Sequence, residues 1–273
     1  MTSEARDAAL LGGQPIKLFK ILRQNASWCY TSADTPVTLN GDTYTPLAIA
    51  HSNITDGGDS TSIQITLPKD APVTANWYPY PPSDPIAVQI WTQHEGEADW
   101  LVDWIGNVIS PSFDDTTLTL TSEPTRQYAR RGGAPRVAQI NCDLVLFSQG
   151  RGQCNLLKAN FAIAVASVTV DGLTVTAPEF GTVPSGRLAG GWLEWTRADG
   201  IVEYLSIATH SGTTVTLSYG AADLATGLAV TAYPGCGQTY ADCTYFQNTA
   251  NFGGELYLPG RNYYDGNFVT SSG

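Results

Sequence analysis

Five cysteines are the residues of this chain with the clearest capacity for chemistry, and four of them form two pairs. Cys142 and Cys154 flank the segment "DLVLFSQGRGQ", whereas Cys236 and Cys243 lie in "PGCGQTYADCTYFQNTANFGG". The second segment contains no apolar run that would explain its burial. Cys29 stands apart in "NASWCYTS". Thiol pairs in polar loops are typical of metal ligation, disulfides, catalysis or inert burial.

Four roles compete for the two pairs on residue types and spacing. Inert buried thiols need no further chemistry. Disulfides are disfavoured because the N-terminus "MTSEARDAALLGGQPIK" lacks a secretory leader, so we expect the chain to stay in a reducing cytoplasm. Structural zinc usually takes cysteines about two to four residues apart, whereas 11 and 6 residues separate these pairs. An iron–sulfur cluster tolerates long spacings, and nearby glycines let backbone N–H groups approach the sulfurs. The spacing leaves all four roles open.

A catalytic thiol is the enzymatic alternative. "NCDL" superficially resembles the start of a cell-wall peptidase site, in which Cys142 would pair with the later His210 of "IATHSGTT". No long helix is predicted after Cys142, and no third orienting group is visible. His51 and His94 are interpreted as ordinary polar residues, and no phosphate-binding loop or metal-spaced His pair occurs. The sequence therefore predicts a protein without a catalytic step.

Composition and charge exclude several partners. The net charge of −11 and the pI near 4.5 disfavour an electrostatic grip on nucleic acid or on an anionic membrane. No stretch approaches the length of apolar residues needed for a membrane span. Only 14% of residues are charged, against 42% hydrophobic. This composition indicates a β-rich protein whose uncharged polar faces meet neighbours in a larger assembly.

Short alternating segments closed by Asn-Gly, Asp-Gly or Ser-Gly predict an all-β fold. We predict an N-terminal antiparallel barrel or sandwich over residues 1–125. A second small β domain, 161–232, is inserted into a loop-rich four-cysteine cap formed by 126–160 and 233–273. The cap begins with a basic stretch that is either a solvated linker or pairs with carboxylates of a neighbouring subunit: Arg126, Arg130, Arg131 and Arg136.

"NCDLVLFSQGRGQC", a β domain and then "PGCGQTYADCTYFQNTANFGGELYLPG" resemble the C-terminal region of bacteriophage tail hub, or minor tail, proteins. That family includes the hub of gene transfer agents and, more distantly, lambda minor tail protein L. "WCYTSADTPVTLNGDTYTPLAIAHSNI" is similar to the N-terminal half of the same family. The resemblance covers most of the chain, and its most specific part is the cysteine quartet followed by Asn, "NFGG" and "PG".

The resemblance implies a function, a location and a ligand set. The protein would be part of a virion tail tip, usually as a homotrimer beneath the distal tail ring, assembled in the host bacterial cytoplasm. Its partners would be the distal tail protein, a central tip or fibre protein and the tape measure protein. Cys142, Cys154, Cys236 and Cys243 would bind a 4Fe–4S cluster, with zinc as the alternative metal. Cys29 matches no ligand and is expected to be a buried core thiol.

Two further expectations follow from the hub interpretation and from its alternative. A hub encloses the path of the genome, so we expect acidic side chains to face the channel and keep DNA from sticking. The alternative is a module that binds a host-surface glycan or receptor through an aromatic platform. Its candidate residues are Trp28, Trp77, Tyr78, Tyr80, Trp91, Trp100 and Trp104.

Overall fold

The structure is a computed structural model that describes residues 15–54, 62–94, 99–125 and 138–258. Sixteen strands dominate the described chain, with one short α-helix, α1, at Tyr240–Tyr245. Nine strands precede the first cysteine pair: β1 Ile16–Arg23, β2 Ala26–Thr31, β3 Val37–Leu39, β4 Asp42–Pro46, β5 Ala50–His51, β6 Ile63–Pro68, β7 Ile86–Gln93, β8 Leu101–Phe113 and β9 Thr117–Pro124. Seven lie between Cys154 and Cys236: β10 Ile163–Val165, β11 Thr169–Asp171, β12 Thr174–Thr176, β13 Trp192–Thr196, β14 Val202–Ser211, β15 Thr214–Leu217 and β16 Val230–Tyr233. The predicted all-β class is confirmed.

The chain divides into two compact units. The first contains residues 1–132, 196–203 and 221–223, and the second contains the rest. The three-part division predicted from the sequence, with its inserted domain, stays a prediction.

The first unit is built on a nine-stranded sheet in the order β3-β4-β2-β1-β7-β8-β9-β6-β5. Strict alternation in β6, β7 and β9 sends every second side chain to one face, as expected for a sheet covered on one side. Those side chains form one core that includes Phe19, Ile65 and Ile90. Apolar burial therefore holds this unit together.

Strand pairing in the first unit departs from the sequence prediction in two places. The predicted Asn-Gly hairpin joins β3 to β4, with Asn40 and Gly41 at φ angles of 52° and 88°. However, β4 then pairs with β2 in parallel rather than antiparallel, through Tyr30–Thr45 and Thr31–Pro46. The strand β2 was not predicted, because "ASWCYT" is short and carries no clear alternation of polar and apolar residues.

Cys29 corrects one expectation. It is half-buried rather than a core thiol. In β2 the neighbouring residues Trp28 and Tyr30 face the core, so the alternation of the strand turns Cys29 to the opposite face. There it lies opposite Lys20 of β1. Burial and the nearby charge of Asp42 raise the pKa of the Cys29 thiol.

The candidate aromatic platform separates into buried and exposed members. Trp77 and Trp104 belong to the core, and Trp28 packs against it. Tyr78 and Tyr80 are exposed. Three of the seven rings therefore serve packing in the first unit.

A seven-stranded sheet in the order β10-β16-β13-β14-β15-β12-β11 belongs mainly to the second unit. Its strands β14 and β15 bury alternate residues such as Leu205, Ile207 and Val215. The two segments that carry the cysteine pairs precede β10 and follow β16. We define the cysteine loops as residues 138–157 and 236–258.

A 3-10 helix at Pro72–Asn76 is a further element of the first unit outside its strands. Over the described ranges, no helix combines the length and apolarity needed to cross a membrane. The arginines at 126, 130, 131 and 136 lie outside the described residues.

Candidate metal centre

The two cysteine pairs, distant in sequence, meet at one cavity. Cys142, Cys154, Cys236 and Cys243 all line it, together with three leucines, Phe246, Thr239 and two asparagines. The space inside it for the centres of water-sized molecules is about 20 Å³. The backbone N–H of Cys142 donates to the Gln238 carbonyl at 2.7 Å, which ties the two loops together beside the cavity. The structure thus brings together the four residues singled out in the sequence.

Hydrogen-bond donors point at the sulfur atoms. The Gly253 N–H donates to Cys142 Sγ at 3.3 Å, and the Gln238 N–H donates to Cys236 Sγ at 3.4 Å. Asn248 Nδ2 lies 3.6 Å from Cys154 Sγ. Donors of this kind favour the thiolate form, and hydrogen bonds to cysteine sulfur are one of the levers that tune iron–sulfur sites.

Asn248 connects both cysteine pairs. Its side-chain Nδ2 donates to the Cys154 carbonyl at 2.6 Å, and its backbone N–H donates to the Cys243 carbonyl at 2.9 Å. The Asn248 carbonyl in turn accepts the Cys243 S–H at 3.1 Å. Asn251 Nδ2 donates to Asn248 Oδ1 at 2.7 Å, which fixes the orientation of the amide. This buried amide therefore links the two cysteine loops through hydrogen bonds.

The "NFGG" motif has a steric cause. A Cβ atom on Gly254 would stand 2.3 Å from the Ile140 carbonyl oxygen, so only glycine permits this approach of the two cysteine loops. Next to it, the Glu255 N–H donates to the Gln139 carbonyl at 2.7 Å. The motif therefore closes the loop on the side of Cys142.

Backbone strain is concentrated in the cysteine loops. Of the six non-glycine residues with positive φ among the described residues, four lie there: Phe147, Asn155, Gln238 and Gln247. For residues other than Gly and Asn, this conformation costs on the order of 1–2 kcal/mol. Conformations of this kind persist only where surrounding interactions hold them, and they cluster at functional sites.

The thiols influence one another electrostatically. Burial, followed by the charges of Cys142, Cys154 and Cys236, raises the pKa of Cys243 to about 11. Burial also raises the pKa of Cys236, and the charges of Asp242, Cys142 and Cys154 add to that effect. The raised pKa values keep Cys236 and Cys243 protonated at neutral pH, and a bound cation would favour their thiolate forms.

A site for one metal ion would require its ligands to lie closer together than a cluster does. Within the described ranges, no three His, Cys, Asp or Glu side chains converge closely enough to hold one metal ion. In a 4Fe–4S cluster each iron takes its own thiolate, so the four ligands are spaced more widely than those of one zinc ion.

His210, the candidate catalytic partner of Cys142, has both of its ring nitrogens hydrogen-bonded to backbone groups. The Leu188 N–H donates to His210 Nδ1 at 3.3 Å, and His210 Nε2 donates to the Gly212 carbonyl at 2.8 Å. Both ring nitrogens of this buried histidine are therefore engaged by backbone groups. His51, in the first unit, donates through Nδ1 to the Ser52 carbonyl at 2.6 Å.

Sequence reasoning missed several residues of the site. Leu144, Leu146 and Leu156 form its apolar wall. Ser148 Oγ accepts the Cys154 N–H at 3.2 Å. The period of two in "DLVLF" is the signal that could have placed both Leu144 and Leu146 on one side of the loop.

The chain resembles known proteins in part of its sequence and in its fold. Residues 186–262, which include Cys236 and Cys243, match the family model described as phage conserved hypothetical protein BR0599. An uncharacterized protein of Xylella fastidiosa (strain 9a5c) is 29% identical over 234 residues, which are 78% of this chain and 47% of that protein. The chain thus spans about half the length of this relative.

A solved structure shares the fold across the whole chain. It is a chain from the structure titled "Virion of native gene transfer agent (GTA) particle", which superposes with a TM-score of 0.74. The match covers 99% of this chain and 96% of that one at 18% identity. At this identity the match establishes the fold that the two chains have in common.

Proposed function

We propose that this protein is a structural component of a phage or phage-like virion, and more narrowly a subunit of the tail-tip hub, with no catalytic step. The observation that carries the proposal is the fold, shared end to end with a chain of a gene transfer agent virion. The phage family model over residues 186–262 supports the same class. Both agree with the hub-like motifs in the sequence.

In this role the subunit belongs to a ring, a homotrimer by family resemblance, around the DNA ejection channel of the virion tail tip. It links the distal tail protein to a central tip or fibre protein, with the tape measure protein as a further neighbour. Exposed apolar side chains along β8 suit such protein contacts, because Leu101, Val102, Ile105 and Ile109 are 48–55% exposed. The net charge of −11 suits a channel that DNA must pass without sticking.

We further propose that Cys142, Cys154, Cys236 and Cys243 hold a 4Fe–4S cluster in the second unit. Three observations support it: one cavity lined by all four thiols, N–H donors aimed at sulfur, and strained loops. When bound, the cluster supplies four metal–thiolate bonds that cross-link two distant chain segments. The role of the four cysteines is then structural, because metal binding to a site that exists only in the folded state adds to folding stability.

Particle analysis tests the virion role. Purified particles should contain this protein in a fixed stoichiometry, and electron microscopy should place it at the tail tip. Deletion of its gene should leave capsids without functional tails, and the wild-type gene supplied in trans should restore them. A protein that is absent from purified particles while tails assemble normally would contradict the proposal.

A further inference from the structure

An ion pair lies directly beside the second cysteine pair. Arg187 Nη1 donates to Asp242 Oδ1 at 2.6 Å, and both side chains are about one-fifth exposed, at 20% each. Asp242 is the residue immediately before Cys243. The inference drawn from this pair rests on the iron–sulfur site proposed above.

Asp242 shapes the loop that carries both cysteines. Its Oδ2 accepts the Gly237 N–H at 3.1 Å and the Thr239 hydroxyl at 2.9 Å. Its own N–H donates to Thr239 Oγ1 at the start of α1. The carboxylate therefore closes the turn between Cys236 and Cys243, and it places a negative charge where two thiolates must gather.

Arg187 is held in place from three sides. Its guanidinium carbon lies 3.8 Å from the centre of the Tyr245 ring and 5.8 Å from that of Phe246. Its backbone carbonyl accepts the Gly235 N–H at 3.1 Å, next to Cys236. A planar guanidinium stacked on a ring and paired with a carboxylate loses little freedom when it binds.

The Arg187–Asp242 ion pair balances charge beside the cysteine site. Four thiolates around a cluster create a net negative site, and an unpaired Asp242 carboxylate would repel it. The carboxylate is engaged in its loop contacts with Gly237 and Thr239, and the Arg187 guanidinium, 2.6 Å from Oδ1, cancels its charge.

We propose that Arg187 is a positioning residue that neutralises Asp242 beside Cys236 and Cys243, and so sets both the retention and the reduction potential of the cluster. Charges near an iron–sulfur cluster shift its potential in a defined direction, because a cation stabilises the reduced, more negative form. Loss of the Arg187 charge should therefore lower the potential, whereas loss of the Asp242 charge should raise it. A purely structural role predicts no such opposite pair of shifts.

The test compares Arg187→Gln, Asp242→Asn, the double variant and Arg187→Lys with Lys158→Gln. Lys158 pairs with Glu194 in the same unit, so its replacement removes an equal charge from a matched pair. Potentials are measured by redox titration, and iron release by transfer to a chelator. We expect R187Q to lower the potential and to speed iron release about 10-fold, the lower end of the effects measured for outer-shell partners. D242N should raise the potential, the double variant and R187K should lie near the wild type, and K158Q should change neither quantity.

The possible results distinguish failure of the Arg187 inference from failure of the proposed cluster. Shifts of the same sign in R187Q and D242N, or no shift in either, would overturn the inference while the proposed cluster stands. Wild-type protein that binds no iron would overturn the proposed cluster and this inference together. If R187Q fails to fold, D242N and R187K still decide the sign of the charge effect.

Discussion

The two regions that dominate this molecule are held together by different means. The nine-stranded sheet of the first unit encloses a continuous core of sixteen buried apolar residues. In the cysteine loops, none of residues 138–157 is buried, and in 236–258 only Phe246 and Asn248 are. Fixed irregular loops without a core need another source of order. The cysteine loops therefore depend on hydrogen bonds, on ring contacts and, in our proposal, on four metal–thiolate bonds.

The largest effect is expected when the loops lose a ligand. Cys154→Ser should abolish iron binding and leave the cysteine loops open to protease, because structural metal sites contribute on the order of 10 kcal/mol. The sheet of the first unit should stay folded. Limited proteolysis with mass spectrometry, alongside iron analysis, measures both outcomes. Cys29→Ser is the matched control and should retain iron, and equal iron loss in both variants would refute the ligand assignment.

A core truncation in the first unit should lower the free energy of unfolding and leave the iron content unchanged. Ile90 is fully buried, so Ile90→Ala should cost about 2–5 kcal/mol of unfolding free energy through lost burial and a residual cavity. Its iron content should not change. Ile105→Ala is the control, because Ile105 is 49% exposed and should cost less than about 0.5 kcal/mol. Urea unfolding of both variants separates these outcomes, and equal midpoints would contradict the assigned core.

Removal of the Asn248 side-chain amide should have an intermediate effect. Asn248→Ala leaves the Cys154 carbonyl without its donor and should cost about 1–3 kcal/mol. Iron should also leave faster in the presence of a chelator. Asn160, an exposed residue of the same unit, provides the control variant Asn160→Ala. Identical iron release from the two variants would show that the Asn248 amide does not support the site.

The smallest expected effect is a pH dependence in the first unit. Glu203 Oε2 accepts from Arg23 Nη2 at 2.7 Å and from Ser83 Oγ at 2.6 Å. Burial opposes ionisation of Glu203, but these bonds outweigh it and lower its pKa from 4.5. A lowered folded-state pKa adds stability above the unfolded pKa, and this stability is lost as the pH falls through the folded one.

The corresponding variant is Glu203→Gln. It should be less stable than wild type at pH 7, and the difference should shrink below pH 4.5. Unfolding free energies measured across this range provide the test, with Asp34→Asn as a surface control because Asp34 is an exposed residue of the same unit. A difference that stays constant with pH would contradict the assignment.

Sequence reasoning succeeded where the signal was local. Short alternating segments predicted the all-β class, and the Asn-Gly pair predicted the turn between β3 and β4. The convergence of Cys142 with Cys236 was expected from the placement of the two cysteine pairs on either side of the second β segment and from the family motif, because no local pattern encodes the meeting of loops separated by a whole sheet. The parallel pairing of β4 with β2 and the outward turn of Cys29 were missed, since both depend on which strands become neighbours.

The most direct test of the account is the iron and sulfide content of the protein purified without oxygen. We predict about four irons and four sulfides per chain, a broad visible absorption band, and loss of all three in Cys154→Ser but not in Cys29→Ser. One zinc per chain without iron would replace the cluster with a structural zinc site. Metal-free protein whose cysteine loops resist protease as well as the sheet does would contradict the central claim.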